Sequence, residues 1–329
     1  MHKRFIAIII LALLLQACGK KNEKLKDNDI PQGLRTEMNE MNNKLVEYLS
    51  TNNLRELQPT MSADLIKKDG DRMGKLLQSA QKFFAGKDYS LLDEYYVKHP
   101  GIETIDTLHG GKDEQAYVFN YKAHTKESYV SLLITQKAKI KMLITVIYGK
   151  YHDGWKVDNL KIGEYALNNM GPNEFTRGSR LFFQRGDIID ASDWIFLAIR
   201  YSRPANQYLQ YDSYKSIKAY ADSVINLAKN KYPLPYTLTQ IKSKPKVFYI
   251  LPEVGENGFY PMLYYLTTTP ISDTVALKKE NDEIQHIAGQ VFQGIDKNNP
   301  VILYRAFNEM PEGAKKNVPR FGFIQKTAH

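Results

Sequence analysis

The side chains able to do covalent or acid–base chemistry in this 329-residue chain are few and loosely grouped. Gly70-Asp-Arg-Met-Gly74-Lys75-Leu76 has the glycines and lysine of a phosphate-cradling loop. Three residues separate those glycines where four are needed, and Leu76 stands where Ser or Thr must reach magnesium. No strand precedes the run, so a nucleotide site is rejected. His109-Gly110-Gly111 has the look of an oxyanion loop, but no Gly-x-Ser-x-Gly elbow accompanies it, and it is read as a turn. His99, His124, His152, His286 and His329 show no metal spacing, and single surface histidines is the reading for most of them. Asp187, Asp190 and Asp193 step by three along one helix and could present carboxylates together. They lack the glycine and terminal glutamate of a calcium loop, and acids in the first turns of a helix favour its dipole in any case. Asp93-Glu94-Tyr95-Tyr96 sets acid beside phenol, a pairing able to exchange protons at the mouth of a pocket. Its plainer reading is an exposed acidic edge with two half-buried tyrosines. No metal and no cofactor is expected.

The sharpest chemistry lies at Cys18. Lys3 and Arg4 give a short basic start, and Phe5 to Leu15 is an uninterrupted apolar run of 11 residues. Leu15-Gln16-Ala17-Cys18 follows, then Gly19-Lys20-Lys21. A basic region, an apolar stretch of this length and a small residue before a cut describe a secretory signal peptide over 1–17. As a helix the apolar run rises only ~16 Å, about half a hydrocarbon core, so it is too short to stay as a span. Cys18 is the only cysteine. Beyond it there can be no disulfide, thiolate metal site or cysteine nucleophile.

Leu at −3, Ala at −1 and Cys at the cut resemble the lipobox of bacterial lipoproteins; Gln16 at −2 departs from the usual Ala or Ser. The resemblance implies a diacylglyceryl group on the Cys18 thiol, cleavage before it, and acylation of the new amine. Two or more chains make such an anchor stable. Residues 18–32 are then expected to be a lipidated, disordered tether, being charged and poor in apolar residues. Gly19 is not the Asp that retains many such proteins in the inner membrane, and the tether is lysine-rich rather than acidic. If the cell has two membranes, as Gram-negative bacteria do, the outer one, facing the periplasm, is the expected location.

The chain after the cut, 329 minus 17, has 312 residues, enough for two domains at about 150 residues each. Its side chains carry +7, from 43 basic and 36 acidic residues, scattered and without an Arg-rich helix. No nucleic-acid partner is expected. The 22 tyrosines are assigned chiefly to half-buried sheets, with stacking on sugars as the other use.

These side chains must be positioned by two kinds of element. From Gly33 to about Ser50 the apolar residues Leu34, Met38, Met41, Leu45 and Leu49 form one helical face. Shorter helices are predicted around 54–57 and 63–68, then Met73–Phe84 up to Gly86, and 90–96 reads as a helical turn or a short strand. Period two then takes over in 116–123, 129–135, 139–151 and 155–165, the last two joined by Asp153-Gly154, a hairpin signal. Ala166–Arg180 concentrates Asn, Gly and Pro and is taken as the domain boundary. Beyond it the spacing predicts helices over 188–201, 213–231 and 275–295, with strands over 246–251, 259–268 and 300–307. That order implies a second small α+β domain over 175–329.

Helices first, then a long-stranded antiparallel sheet with the late hairpin Asp153-Gly-Trp-Lys-Val-Asp158, resembles the NTF2-like or cystatin-like α+β fold over 33–166. The resemblance implies helices on the concave side of a curved sheet, around a cone-shaped pocket. Enzymes of that family, such as ketosteroid isomerases, place an Asp base and a Tyr or Asp oxyanion donor in the cone, and those positions are not matched residue by residue here. The expected function is a non-catalytic envelope module binding a partner protein, a glycan or a small ligand. The alternative is a hydrolase or isomerase using the cone. One further expectation comes from Met142–Tyr148 (MLITVIY), apolar on both faces. The face away from the helices needs cover, from the carboxy-terminal domain or from a second copy in a homodimer.

Overall fold

The computed structural model describes residues 23–81, 88–255, 258–311 and 317–327. The signal segment and Cys18 lie outside them, as do Phe83, Phe84, Gly86 and His329. Among the described residues no helix is long and apolar enough to cross a membrane. Two compact units result, each α+β: Met1–Gly111, Val118–Ala138 and Met142–Gly163 make the first. Lys112–Tyr117, Lys139–Lys141 and Glu164–His329 make the second.

In the first unit, α1 (Gln32–Ser50), α2 (Leu54–Leu57) and α3 (Ala63–Gln81) precede the sheet. α1 buries Met38, Leu45, Val46 and Leu49, the face its spacing predicts. α3 joins two expected pieces into one helix through Gly70 and Gly74. Each mid-helix glycine costs about 1 kcal/mol relative to alanine, and burial of Leu65, Met73 and Leu77 offsets it.

The main sheet has the order β1-β2-β5-β6-β7, from β1 (Glu23–Lys26), β2 (Tyr89–Lys98), β5 (Glu127–Thr135), β6 (Ile140–Tyr151) and β7 (Gly154–Leu167). β1 corrects the tether expected over 18–32, because order begins by Glu23. This polar stretch pairs antiparallel with β2, Leu25 against Tyr96. Long-range ion pairs hold it: Lys26 to Asp93 at 2.7 Å, Lys98 to Glu23 at 2.6 Å, and Lys24 to Asp106. Ile30, just after it, is buried. Such partners leave no trace in local composition.

The register sorts the sheet's side chains onto two faces. Tyr96, Tyr129 and Tyr148 stand across from one another, as do Glu94, Ser131 and Val146. These face α1 and α3 in one core with Met38, Leu45, Leu49, Leu77 and Trp155. The opposite face carries Tyr95, Val130, Leu132 and Ile147, also buried. A ribbon of β3 (Thr104–Gly110) and β4 (Tyr117–Ala123) lies over part of it. Tyr95 donates to the His109 carbonyl at 3.0 Å, and Tyr121 meets Ser128 at 2.7 Å. Part of the cover that this face was expected to need is thus supplied by the first unit's own ribbon. β3 also corrects the turn expected at His109-Gly110.

The second unit contains α4 (Pro172–Arg185), α5 (Ile188–Tyr201) and α6 (Tyr214–Lys231). α4 occupies much of the expected boundary at 166–180, and the second unit already begins at Glu164. The Asn-Gly-Pro cluster is the start of a helix, not a linker. Pro172 sits in its first turn, the Gly171 amide donates to Glu174 at 2.8 Å, and Gly186 closes it at φ 81°. Beyond a short strand β8 (Leu209–Tyr211) lies a sheet of order β13-β12-β11-β10-β9. Its strands are β9 (Tyr236–Thr237), β10 (Lys246–Gly255), β11 (Gly258–Leu266), β12 (Val301–Phe307) and β13 (Arg320–Lys326). β11 and β12 run parallel and are linked through α7 (Thr274–Val291), which packs Leu277, Ile284 and Ala288 on the sheet. α4 and β13 are elements the sequence reading missed.

Candidate functional site

The acid–phenol run of the first unit divides between two faces. As part of β2 it alternates, so Asp93 and Tyr95 point to one side, Glu94 and Tyr96 to the other. Asp93 meets Lys26, and Glu94 accepts from Arg35 Nε at 2.7 Å and from Tyr129 at 2.5 Å. Tyr96 donates to Glu127 at 2.6 Å. Each carboxyl is buried and engaged inside the fold, so the four do not form a pocket mouth. The space between helices and sheet holds a cavity of about 160 Å³, lined by Met41, Leu45, Tyr48, Tyr148 and others, with no carboxyl among its lining residues.

Behind the opposite face lies an arrangement that no motif announced. Asp106, His99 and Ser128 make an acid–imidazole–hydroxyl series, with Nδ1 at 3.2 Å from Asp106 and Nε2 at 2.8 Å from Ser128 Oγ. The first contact is an ion-pair distance without hydrogen-bond alignment. Burial lowers the His99 pKa, outweighing the raising effect of Asp106, so the ring is neutral. Donation then runs from Tyr121 to Ser128, from Ser128 to Nε2, and from Nδ1 toward Asp106. These are the groups of a nucleophilic triad, but Ser128 is 1 % exposed and Tyr121 already occupies its oxygen. No substrate reaches that hydroxyl. The series is a buried polar core held by Ser128 and Tyr121, with Nδ1 at ion-pair distance from Asp106, and it removes His99 from the surface histidines.

The three aspartates of α5 separate for a geometric reason. A step of three falls about 60° short of a full helical turn, so Asp187 and Asp193 point about 120° apart. Asp187 and Asp190 share the Asn298 amide at 3.1 and 3.0 Å, and Asp190 takes Asn299 at 2.6 Å. Asp193 points elsewhere. Among the described residues no group of three or more His, Cys, Asp or Glu is placed to hold a metal ion.

Asp193 lines a groove of about 720 Å³ within the second unit. α5 supplies Ile189, Ser192, Asp193 and Phe196, at i, i+3, i+4 and i+7 on one helical face. α6 supplies Ile225, Ala228 and Lys229, and the chain beyond it Tyr232-Pro-Leu-Pro235. Phe248–Leu251 of β10 form another wall, with Met310 and Pro311 at one edge. Phe196, Leu234 and Tyr249 are 38 %, 40 % and 54 % exposed, so a large apolar area here lies open to solvent.

Within this apolar wall Asp193 is 4 % exposed and has no hydrogen-bond or ion-pair partner among the described residues. Burial pushes its carboxyl well above the ordinary carboxylate range, and Asp190 nearby adds to the shift. Asp190 itself is pushed up to about 6, chiefly by burial, which the amides of Asn298 and Asn299 only partly offset. Lys229 is exposed and contributes nothing to the Asp193 shift. An unpartnered carboxyl in such a place costs several kcal/mol when ionised, so the empty groove favours its protonated form.

Comparisons with protein-family models, with curated proteins and with solved structures found no match.

Proposed function

We propose that this chain is a lipid-anchored protein of the cell envelope whose second unit binds a small amphiphilic ligand without converting it. The observation that carries the binding half is the 720 Å³ groove, apolar on nearly every side and holding one buried, unpartnered carboxyl. Ligand sites have this character: a concave apolar surface and a few polar groups that fix orientation. The first unit supports a scaffold role. Its acids are engaged within the fold, and the space that an NTF2-like enzyme would use is reduced to about 160 Å³. The anchor half rests on Cys18 and the apolar run before it; in a cell with two membranes, Gly19 favours the outer one, facing the periplasm.

The test is binding of a neutral apolar dye, N-phenylnaphthylamine, followed by its fluorescence. One saturable site per chain is expected, and it should be lost in Phe196→Glu and in Tyr249→Glu, both exposed and safe to change. Dye binding that ignores both substitutions would refute the groove as the site. Mass spectrometry of protein purified from native membranes then identifies what co-purifies.

A further inference from the structure

We propose that the groove selects an organic cation, an ammonium carried on an apolar body, with Asp193 as its counter-charge and aromatic side chains as the surround. The inference rests on the groove being the ligand site and adds the charge of what enters it.

The argument is one of complementarity. One acid, Asp193, faces this space, and among the described residues no buried cation accompanies it. Four aromatic side chains, Phe196, Tyr232, Phe248 and Tyr249, line the same space. Ring faces attract a cation, and most strongly where water is excluded. A neutral ligand can at most accept a hydrogen bond from the protonated Asp193 carboxyl and gains little from the rings. An anionic ligand could do the same, but ring faces repel its charge. An ammonium satisfies both the carboxylate and the rings. Lys229 on α6 is the remaining charge on the lining, and its head is in solvent. The other titratable groups there are Tyr232 and Tyr249.

Binding of an ammonium requires Asp193 to give up its proton. Affinity should therefore rise with pH, about tenfold per unit while the empty-groove carboxyl is protonated, and level off above its pKa.

The experiment is calorimetric titration of the full chain with three probes sharing one chain length: octylammonium, 1-octanol and octanoate. Octylammonium is expected to bind at least tenfold tighter than octanol, to tighten with pH, and to lose that preference in Asp193→Asn. Tyr249→Leu should weaken octylammonium more than octanol, and it serves where Asp193→Asn fails to fold, together with the wild-type pH profile. If octanol or octanoate binds as tightly as octylammonium, or if the ammonium preference survives Asp193→Asn, the cation inference is overturned while the groove stands as a ligand site. If none of the three binds, the groove reading falls with it.

Discussion

Gly178 and Trp194 provide a sharp test of how the second unit is packed. A Cβ built on Gly178 of α4 would lie 2.0, 2.3 and 2.8 Å from Cε3, Cζ3 and Cδ2 of Trp194 on α5. Carbon atoms rest at about 3.5–4.0 Å, so the indole would have to move by about 1.5 Å. It has little room, because Phe175, Phe182 and Phe259 surround it with ring centroids at 5.7, 5.7 and 5.2 Å. Alanine inside a helix gains about 1 kcal/mol over glycine, whereas overpacking costs about 1–3 kcal/mol and more where neighbours cannot yield. The steric term wins. Gly178→Ala is expected to destabilise the second unit by about 1–2 kcal/mol, against the direction of helix propensity.

Gly70 of α3 is the control. Its added Cβ would meet only Ile66 Cγ2, at an ordinary 3.6 Å, so Gly70→Ala should stabilise the first unit by about 0.5–1 kcal/mol. The assay is urea unfolding followed by tryptophan emission. The chain has two tryptophans, Trp155 in the first unit and Trp194 in the second. Trp155→Phe and Trp194→Phe backgrounds therefore report one unit each. With m near 1–3 kcal/mol/M, the Gly178→Ala midpoint should fall by roughly 0.5–1.5 M. A double variant with Trp194→Leu should recover much of the loss, read by circular dichroism. An unchanged or higher midpoint for Gly178→Ala would refute the wedge.

Three further outcomes are expected. The Asp190 carboxyl has its folded pKa raised from 3.8 to about 6, so the native state holds its proton more tightly than the unfolded chain. Its stabilising contribution is present below pH 3.8 and lost as pH rises through 6, about 3 kcal/mol in all. The difference between wild type and Asp190→Asn in Trp194-reported unfolding should shift by about that amount from pH 4 to pH 7, and a constant difference would count against it. Ser128→Ala leaves His99 Nε2 and the Tyr121 hydroxyl only their long mutual contact at 3.4 Å and should cost the first unit about 1–3 kcal/mol by the Trp155 signal, with dye binding unchanged. Cys18→Ala should abolish radioactive palmitate labelling and release the protein from membranes; persistent labelling ends the lipoprotein reading.

Where local pattern and final environment agreed, the sequence was legible. The α1 stripe and the 188–201 helix follow from helical spacing, and the central strand of the main sheet from its apolar, β-branched run. The missed elements break that agreement. β3 turns Ile105 outward, 78 % exposed, and Asp106 inward, so its alternation is inverted. The inward acid is sustained by Lys24 of β1, far away in sequence, and by His99, which directly follows β2. β1 is nearly all charge, and its reason to be a strand is on β2 and β3. α4 was obscured by Gly171 and Gly178, the first a helix start and the second a seat for an indole. In each case a long-range partner reverses what the residue signals alone.

The site shows the same limit from the other side. Proximity in sequence suggested Asp93-Glu94-Tyr95-Tyr96, yet strand alternation sends neighbours to opposite faces and each acid to a different cation. The triplet in α5 was seen for its carboxylates, but helical drift hands Asp187 and Asp190 to Asn298 and leaves Asp193 in the groove. What makes Asp193 notable is the lack of any partner on walls drawn from α5, α6, β10 and Met310-Pro311, over 120 positions of chain. No spacing rule encodes a missing partner. A buried carboxyl left unmatched by its own fold is costly to ionise, and a ligand cation beside it is the simplest thing that would offset that cost.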